Sequence, residues 1–129
     1  MKILGIDFGL KKIGLAISEG ILVRPFGVIH DPEKFVSEIM KICRKEKIKK
    51  IVIGLSGGKM IPKTKAFSQE IFNKTNLPVV FQDETLTTRQ AIVKMIEAGK
   101  SKKARKEKED AFAAACILEE YLEKRRVDV

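Results

Sequence analysis

Three acidic positions in this chain sit where acids are not kept by default. Asp7 interrupts the apolar run KILGIDF, between Ile6 and Phe8. Asp is disfavoured in strands, and burying an unpaired carboxylate is costly. Asp83 and Glu84 close a second apolar run, VVFQDE. Asp110 starts the series Asp110, Ala114, Ile117, Tyr121, whose i, i+4, i+7, i+11 spacing belongs to the packed face of a helix. The helix dipole favours a carboxylate near an N-terminus, but on a packed face it still needs a partner. A hard divalent cation supplies one: Mg²⁺ takes oxygens from a few carboxylates, from waters and from substrate phosphates. Two such ions about 4 Å apart stabilise both the attacking and the leaving oxygen in phosphodiester hydrolysis. The glycines beside Asp7, Gly5 and Gly9, leave space for a phosphate backbone to approach. Lys11 and Lys12 in the next turn can touch it. Each acid also has a plainer reading, as a cap of a turn (Asp7), a cap of the next helix (Asp83 or Glu84) or a first-turn helix acid (Asp110). Their meeting at one predicted sheet edge favours the site.

The elements that must bring them together read as follows. Residues 2–8, 12–18 and 21–29 are β-rich, with links short enough for antiparallel hairpins. Asp31-Pro32 has the form of an N-cap and first helical residue, and Phe35, Val36, Ile39, Ile42 and Cys43 continue at helical spacing. Residues 51–55, IVIGL, form a continuously apolar strand suited to a central parallel position. Pro62 can open a second helix with Ala66, Phe67, Ile71 and Phe72 as its stripe. A fifth strand runs from Pro78 to Phe81. Thr87-Thr88-Arg89-Gln90 resembles a capping box for a third helix ending near Ala98, with Gly99 as its stop. A basic loop follows, then a final helix from Lys106 to about Lys124. Three hairpin-linked strands followed by β-α crossovers give an α/β fold: a mixed five-stranded sheet with helices on both faces. Ligands of such sheets gather at the carboxyl ends of the strands.

At 129 residues the chain is expected to be one domain spanning 1–129, with 44% hydrophobic and 33% charged residues in the globular range. No apolar run approaches the roughly 20 residues of a membrane span, no signal peptide is read at the start, and a soluble cytoplasmic protein is expected. Cys43 and Cys116 fall in apolar helical patterns and read as reduced core residues. His30 reads as a surface residue. The net charge of +9, from 26 Lys+Arg against 17 Asp+Glu, favours polyanionic partners. Between Lys100 and Lys108 there are six basic residues and one acid, a cluster suited to phosphates. Aromatics are few, which makes base stacking a minor contribution.

The segments GIDFGLKKIGLAIS, IVIGL, DETLTT and DAFAAACILEEYL, in this order, resemble the YqgF (RuvX) family over nearly the whole chain. GIDFG alone is shared with sugar kinases and chaperone ATPases; DETLTT followed by DAFAAACIL is far more specific. The resemblance implies a ribonuclease H-like fold and a Holliday-junction resolvase, or a nuclease maturing the 5′ end of pre-16S rRNA. It implies Asp7, Glu84 and Asp110 as catalytic metal ligands, choosing Glu84 over Asp83, with Mg²⁺ or Mn²⁺ as cofactor. Lys11, Lys12, Lys59, Lys63, Arg89, Lys102, Lys103 and Arg105 are the candidate nucleic-acid contacts. The chain departs from the family pattern at Thr85, where DERLTT has Arg, at Ser56, where GLP has Pro, and in the reworked loop GGKMIPKTKAF, which Lys59, Lys63 and Lys65 keep basic. The expected function is a metal-dependent endonuclease on structured nucleic acid, RNA favoured over DNA, without membrane association, as a monomer or homodimer. A non-catalytic nucleic-acid module is one rival, which metal-dependent turnover would exclude. A phosphotransferase is another, but that fold needs two such domains around the nucleotide.

Overall fold

A computed structural model describes residues 1–55, 57–83 and 102–127, with side chains of the last segment described for residues 109–124. Five strands form one sheet: β1 (Lys2–Asp7), β2 (Ile13–Glu19), β3 (Leu22–Ile29), β4 (Ile48–Leu55) and β5 (Val79–Asp83). The described helices are α1 (Phe35–Glu46), α2 (Met60–Thr75) and α3 (Lys102–Val127). The strand order is β3-β2-β1-β4-β5. The first three strands pair antiparallel, and β1 with β4 and β4 with β5 pair parallel. This is the expected mixed sheet. β1 and β4 are central, and their apolar stretches, residues 3–6 and 51–54, are buried on both faces. β3 lies at an edge, where Pro25 removes a backbone donor at little cost.

Side-chain alternation sorts the core into two layers. Leu4, Ile6, Leu15, Ile17, Ile51 and Ile53 face Ile39 and Cys43 of α1 and Phe67 and Ile71 of α2. On the other face, Ile3, Ala16 and Val52 pack against Ala114, Ile117, Leu118 and Tyr121 of α3. Helices therefore cover both faces. Both cysteines are buried and free, and His30 is exposed, as the sequence suggests. Among the described residues, no helix is long and apolar enough to cross a membrane.

Several boundaries differ from the sequence reading. Asp31 does cap: its Oδ1 accepts a hydrogen bond from the Glu33 N–H at 3.1 Å. It opens a single 3₁₀ turn, Pro32–Lys34, and α1 begins only at Phe35. α2 starts at Met60, leaving Pro62 in the first turn, where its missing N–H costs nothing. Its buried stripe is Thr64, Phe67 and Ile71, while Ala66 is exposed and Phe72 is 44% exposed. The largest correction concerns the basic segment. α3 begins at Lys102 and runs for 26 residues, so Lys102, Lys103 and Arg105 lie on helical backbone rather than in a loop. Lys and Arg are good helix formers, and no Gly or Pro interrupts the segment. The expected third helix, residues 87–98, lies outside the described residues.

Candidate active site

Asp7 is the last residue of β1, at the carboxyl end of the strand, and alternation puts it on the α3 face with Ile3 and Gly5. Its partner across the antiparallel ladder is Gly14 of β2. A Cβ added at Gly14 would collide with the Asp110 carbonyl and lie 2.9 Å from the Ala111 nitrogen. The backbone of α3 at Asp110 thus rests directly on β2, beside Asp7, because position 14 has no side chain. The same contact recurs along the helix: a Cβ at Gly5 would lie 2.9 Å from Leu118 Cδ1 and 3.1 Å from the Ala114 carbonyl oxygen. Small residues on both surfaces (Gly5, Gly14 and Ala16 of the sheet; Ala111, Ala114 and Ala115 of the helix) bring α3 close and deliver Asp110 to the edge where β1 ends.

These contacts correct the role expected for Gly5, one of the two glycines flanking Asp7. The space over Gly5 is filled by Leu118 and Ala114, and a Cβ at Gly9 would sit 2.7 Å from the Lys12 carbonyl oxygen. Gly5 serves helix packing and holds no space for a phosphate, whereas Gly9 closes the β1–β2 turn and borders the cleft beside Asp7.

Asp7 and Asp110 line one cleft of about 450 Å³, with Phe8 just after β1, Gly9, Leu10, Lys11 and Lys12 of the turn and Met60 of α2. Lys12 reaches across it, its Nζ 3.0 Å from Asp110 Oδ2, with side-chain exposures of 46% and 24%. The hydrogen bond to Asp110 raises the Lys12 pKa above its usual 10.5; the Asp110 and Glu109 charges add to this and desolvation opposes it. Phe8 points to the opposite face, where it stacks on Phe67 of α2 with centroids 4.4 Å apart. That stack fixes the end of β1 from below. Lys59 immediately precedes α2 and Lys63 lies in its first turn; both are exposed, and Met60 between them borders the cleft.

Of the three acids, the structure brings two together. Asp83 pairs with Leu55 and shares the α1/α2 face, away from Asp7 and Asp110. Glu84 and Arg89 lie outside the described residues, as do the side chains of Lys102, Lys103 and Arg105. Among the described residues no three His, Cys, Asp or Glu side chains gather as a metal cluster. The sequence reading missed Gln82, which is buried on the α3 face beside Gly54, in the row that continues from Asp7. Its Nε2 donates to the Asp83 carbonyl at 3.3 Å. Its signal was a polar residue inside VVFQDE. It missed Gly14 as well, although counting back from the Gly9 turn pairs that residue with Asp7.

A family model described as "RuvX: Holliday junction resolvase" matches residues 1–124. The chain belongs to the RuvX family. RuvX relatives named "Putative pre-16S rRNA nuclease" include one from Agathobacter rectalis, 36% identical over 95% of this chain and 95% of its own. Another, from Lactobacillus johnsonii, is 36% identical over 99% of both chains. Among solved structures, Thermus thermophilus RuvC in complex with Holliday junction substrate matches with a TM-score of 0.63 at 14% identity, over 97% of this chain and 96% of that one. A fowlpox virus resolvase complexed with Holliday junction DNA matches at 0.59 and 14%, over 95% and 99%. At such identities the likeness concerns the fold, which is the ribonuclease H-like sheet implied by the sequence resemblance.

Proposed function

We propose that this chain is a metal-dependent endonuclease that hydrolyses phosphodiester bonds in structured nucleic acid, with maturation of the 5′ end of pre-16S rRNA as its task. The observation that carries the reading is the meeting of Asp7 and Asp110 in one cleft at the carboxyl edge of the sheet, in a chain of the RuvX family. The names of its relatives support rRNA as substrate. The family's description supports a four-way DNA junction as the second candidate.

The donor set suits Mg²⁺ or Mn²⁺, because two carboxylates on one cleft wall are hard oxygen ligands. The approach of the Lys12 ammonium to Asp110 marks that carboxylate as a place for positive charge. Asp7 and Asp110 would hold the ion, with Glu84 as the third carboxylate. The family resemblance chooses Glu84 over Asp83, and the face of Asp83 toward α1 and α2 argues against Asp83. A divalent ion bound there lowers the pKa of a water and neutralises charge on the scissile phosphate. The chain's own residues do the rest. Gly14 and Gly5 set the separation of the two carboxylates by admitting the α3 backbone. The Phe8–Phe67 stack holds the turn that carries Lys11 and Lys12. Lys11, Lys12, Lys59, Lys63 and Arg89, with Lys102, Lys103 and Arg105 at the start of α3, would grip the phosphates. Such contacts orient the backbone without reading bases.

The test is a cleavage panel with purified protein: pre-16S-like RNA, a four-way DNA junction and single strands of each, with Mg²⁺, Mn²⁺ or chelator. Cation-dependent cleavage of the structured RNA, lost with chelator, is the expected result. Cleavage of the junction alone would move the substrate to DNA, and no cleavage with either ion would reduce the chain to a binding module.

A further inference from the structure

Beyond binding phosphate, Lys12 has a position that the sequence did not foresee. Its ammonium is paired with a carboxylate of the proposed cation site, 3.0 Å from Asp110 Oδ2. The pairing is imposed by local structure. Gly9 lets the turn close on the Lys12 carbonyl, which fixes the backbone from which the side chain springs. Gly14, two residues on, seats Asp110 beside it. Lys11 lines the same cleft and, among the described residues, forms no ion pair.

We infer that Lys12 is the internal counter-ion of the cation site, which a divalent ion must displace from Asp110 and thereby release to the substrate phosphate. The inference rests on the reading of Asp7 and Asp110 as metal ligands. A dication sharing Asp110 with an ammonium repels it across a few ångströms. That repulsion exceeds the small worth of a half-exposed ion pair. Lys12 is long enough to swing away, and its charge in the cleft then has no acid partner on Asp110. Cation loading would therefore do two things at once, creating the reactive centre and arming a phosphate-binding lysine. Without the ion, Lys12 stays on Asp110 and the cleft contacts nucleic acid less well. Binding is thereby ordered, ion before or with substrate.

The measurement is the affinity for Mn²⁺ alone, by calorimetry and by the Mn²⁺ electron-spin signal, for the full chain and three variants. Lys12→Gln removes the competitor and is expected to tighten Mn²⁺ binding by about three- to tenfold. Lys11→Gln removes an equal charge from the same turn without breaking the pair, and should change affinity by less than about twofold, the difference expected for a screened exposed cation. Lys12→Arg keeps the competing charge and should stay near wild type. In parallel, the Lys12 side-chain methylene resonances should move on Mg²⁺ addition to wild type, saturating with the same midpoint as binding. Equal tightening by Lys11→Gln, or no tightening by Lys12→Gln in protein that binds Mn²⁺ normally, overturns the counter-ion role while leaving the metal site standing. Wild type that takes up no Mn²⁺ at all overturns the metal reading itself, and the counter-ion role with it.

Discussion

Replacing Gly14 with alanine adds one methyl group where the backbone of α3 already lies. The new Cβ would overlap the Asp110 carbonyl and stand 2.9 Å from the Ala111 nitrogen, against an optimum of about 3.5–4.0 Å for such contacts. The obstacle is helix backbone, which cannot rotate aside as a side chain can, so the overlap with the Asp110 carbonyl makes the helix withdraw by more than about 1 Å at this point. Overpacking of this kind costs about 1–3 kcal/mol. For a chain of this length that corresponds to a fall in Tm of roughly 3–15 °C. The functional loss should be larger than the stability loss. Asp110 moves with the helix while Asp7 stays on the sheet, and a misplacement of about 1 Å can lower a rate about a hundredfold. The assay pairs thermal and urea denaturation, followed by circular dichroism, with cleavage of the substrate found in the panel. Gly27→Ala is the control. It is also a strand glycine, but nothing lies within 4 Å of its added Cβ, so its effect should stay within about 1 kcal/mol in either direction. A Gly14→Ala protein with Tm within about 1 °C of wild type and full cleavage would refute the claim that the glycine seat of α3 positions Asp110.

Replacing Lys102, Lys103 and Arg105 together with Gln, which keeps helix propensity in what is now the start of α3, should flatten the log–log dependence of nucleic-acid affinity on salt by roughly 2–3. The weakening should be similar for unrelated sequences, and an unchanged slope would move the phosphate footprint to Lys59, Lys63 and Lys65. Burial pushes the Cys43 thiol up to about 11, so native protein at pH 8.5 should resist alkylation at Cys43 that proceeds readily in urea; equal rates would contradict its burial. The unfolded chain loses that proton near 9.0 while the fold keeps it to about 11. Cys43 therefore makes stability fall as pH rises through this window, and Cys43→Ala should remove that part of the slope in pH-dependent denaturation. The Lys12–Asp110 pair has the same sign. The pKa of Lys12 is raised above 10.5, so the pair's contribution is intact below that pH and is lost above it.

Much of this arrangement was legible where chemistry and local pattern agree. The uninterrupted apolar residues 51–55 announced a central strand, and Asp7 stood out because a carboxylate inside an apolar strand is costly unless something holds it. Asp110 was legible for the complementary reason: its spacing from Ala114, Ile117 and Tyr121 belongs to a packed face, and those three residues are buried. What escaped depends on contacts between distant segments. Gly5 looked like room for a ligand, yet its space is used by Leu118, which a local window cannot see. Gly14 carries the seat of the helix for the same reason. The stripe of α2 was misjudged because Ala66 and Phe72 satisfy a helical period as well as Thr64 does, and only docking against the sheet chooses between them. The start of α3 was missed because the cluster of cations was read as a loop, although Lys and Arg are good helix formers and neither Gly nor Pro breaks the segment.

The most direct test of the account removes one charge from the centre without changing its shape. Purified Asp7→Asn should fold with wild-type stability to within about 1 kcal/mol, as expected of a half-buried isosteric change at an edge, and should bind nucleic acid as tightly as wild type or slightly more tightly. Its cleavage in saturating Mg²⁺ or Mn²⁺ should be abolished. Undiminished cleavage by Asp7→Asn would contradict the assignment of Asp7 to the metal centre, and with it the claim that the meeting of Asp7 and Asp110 is what makes this fold a nuclease.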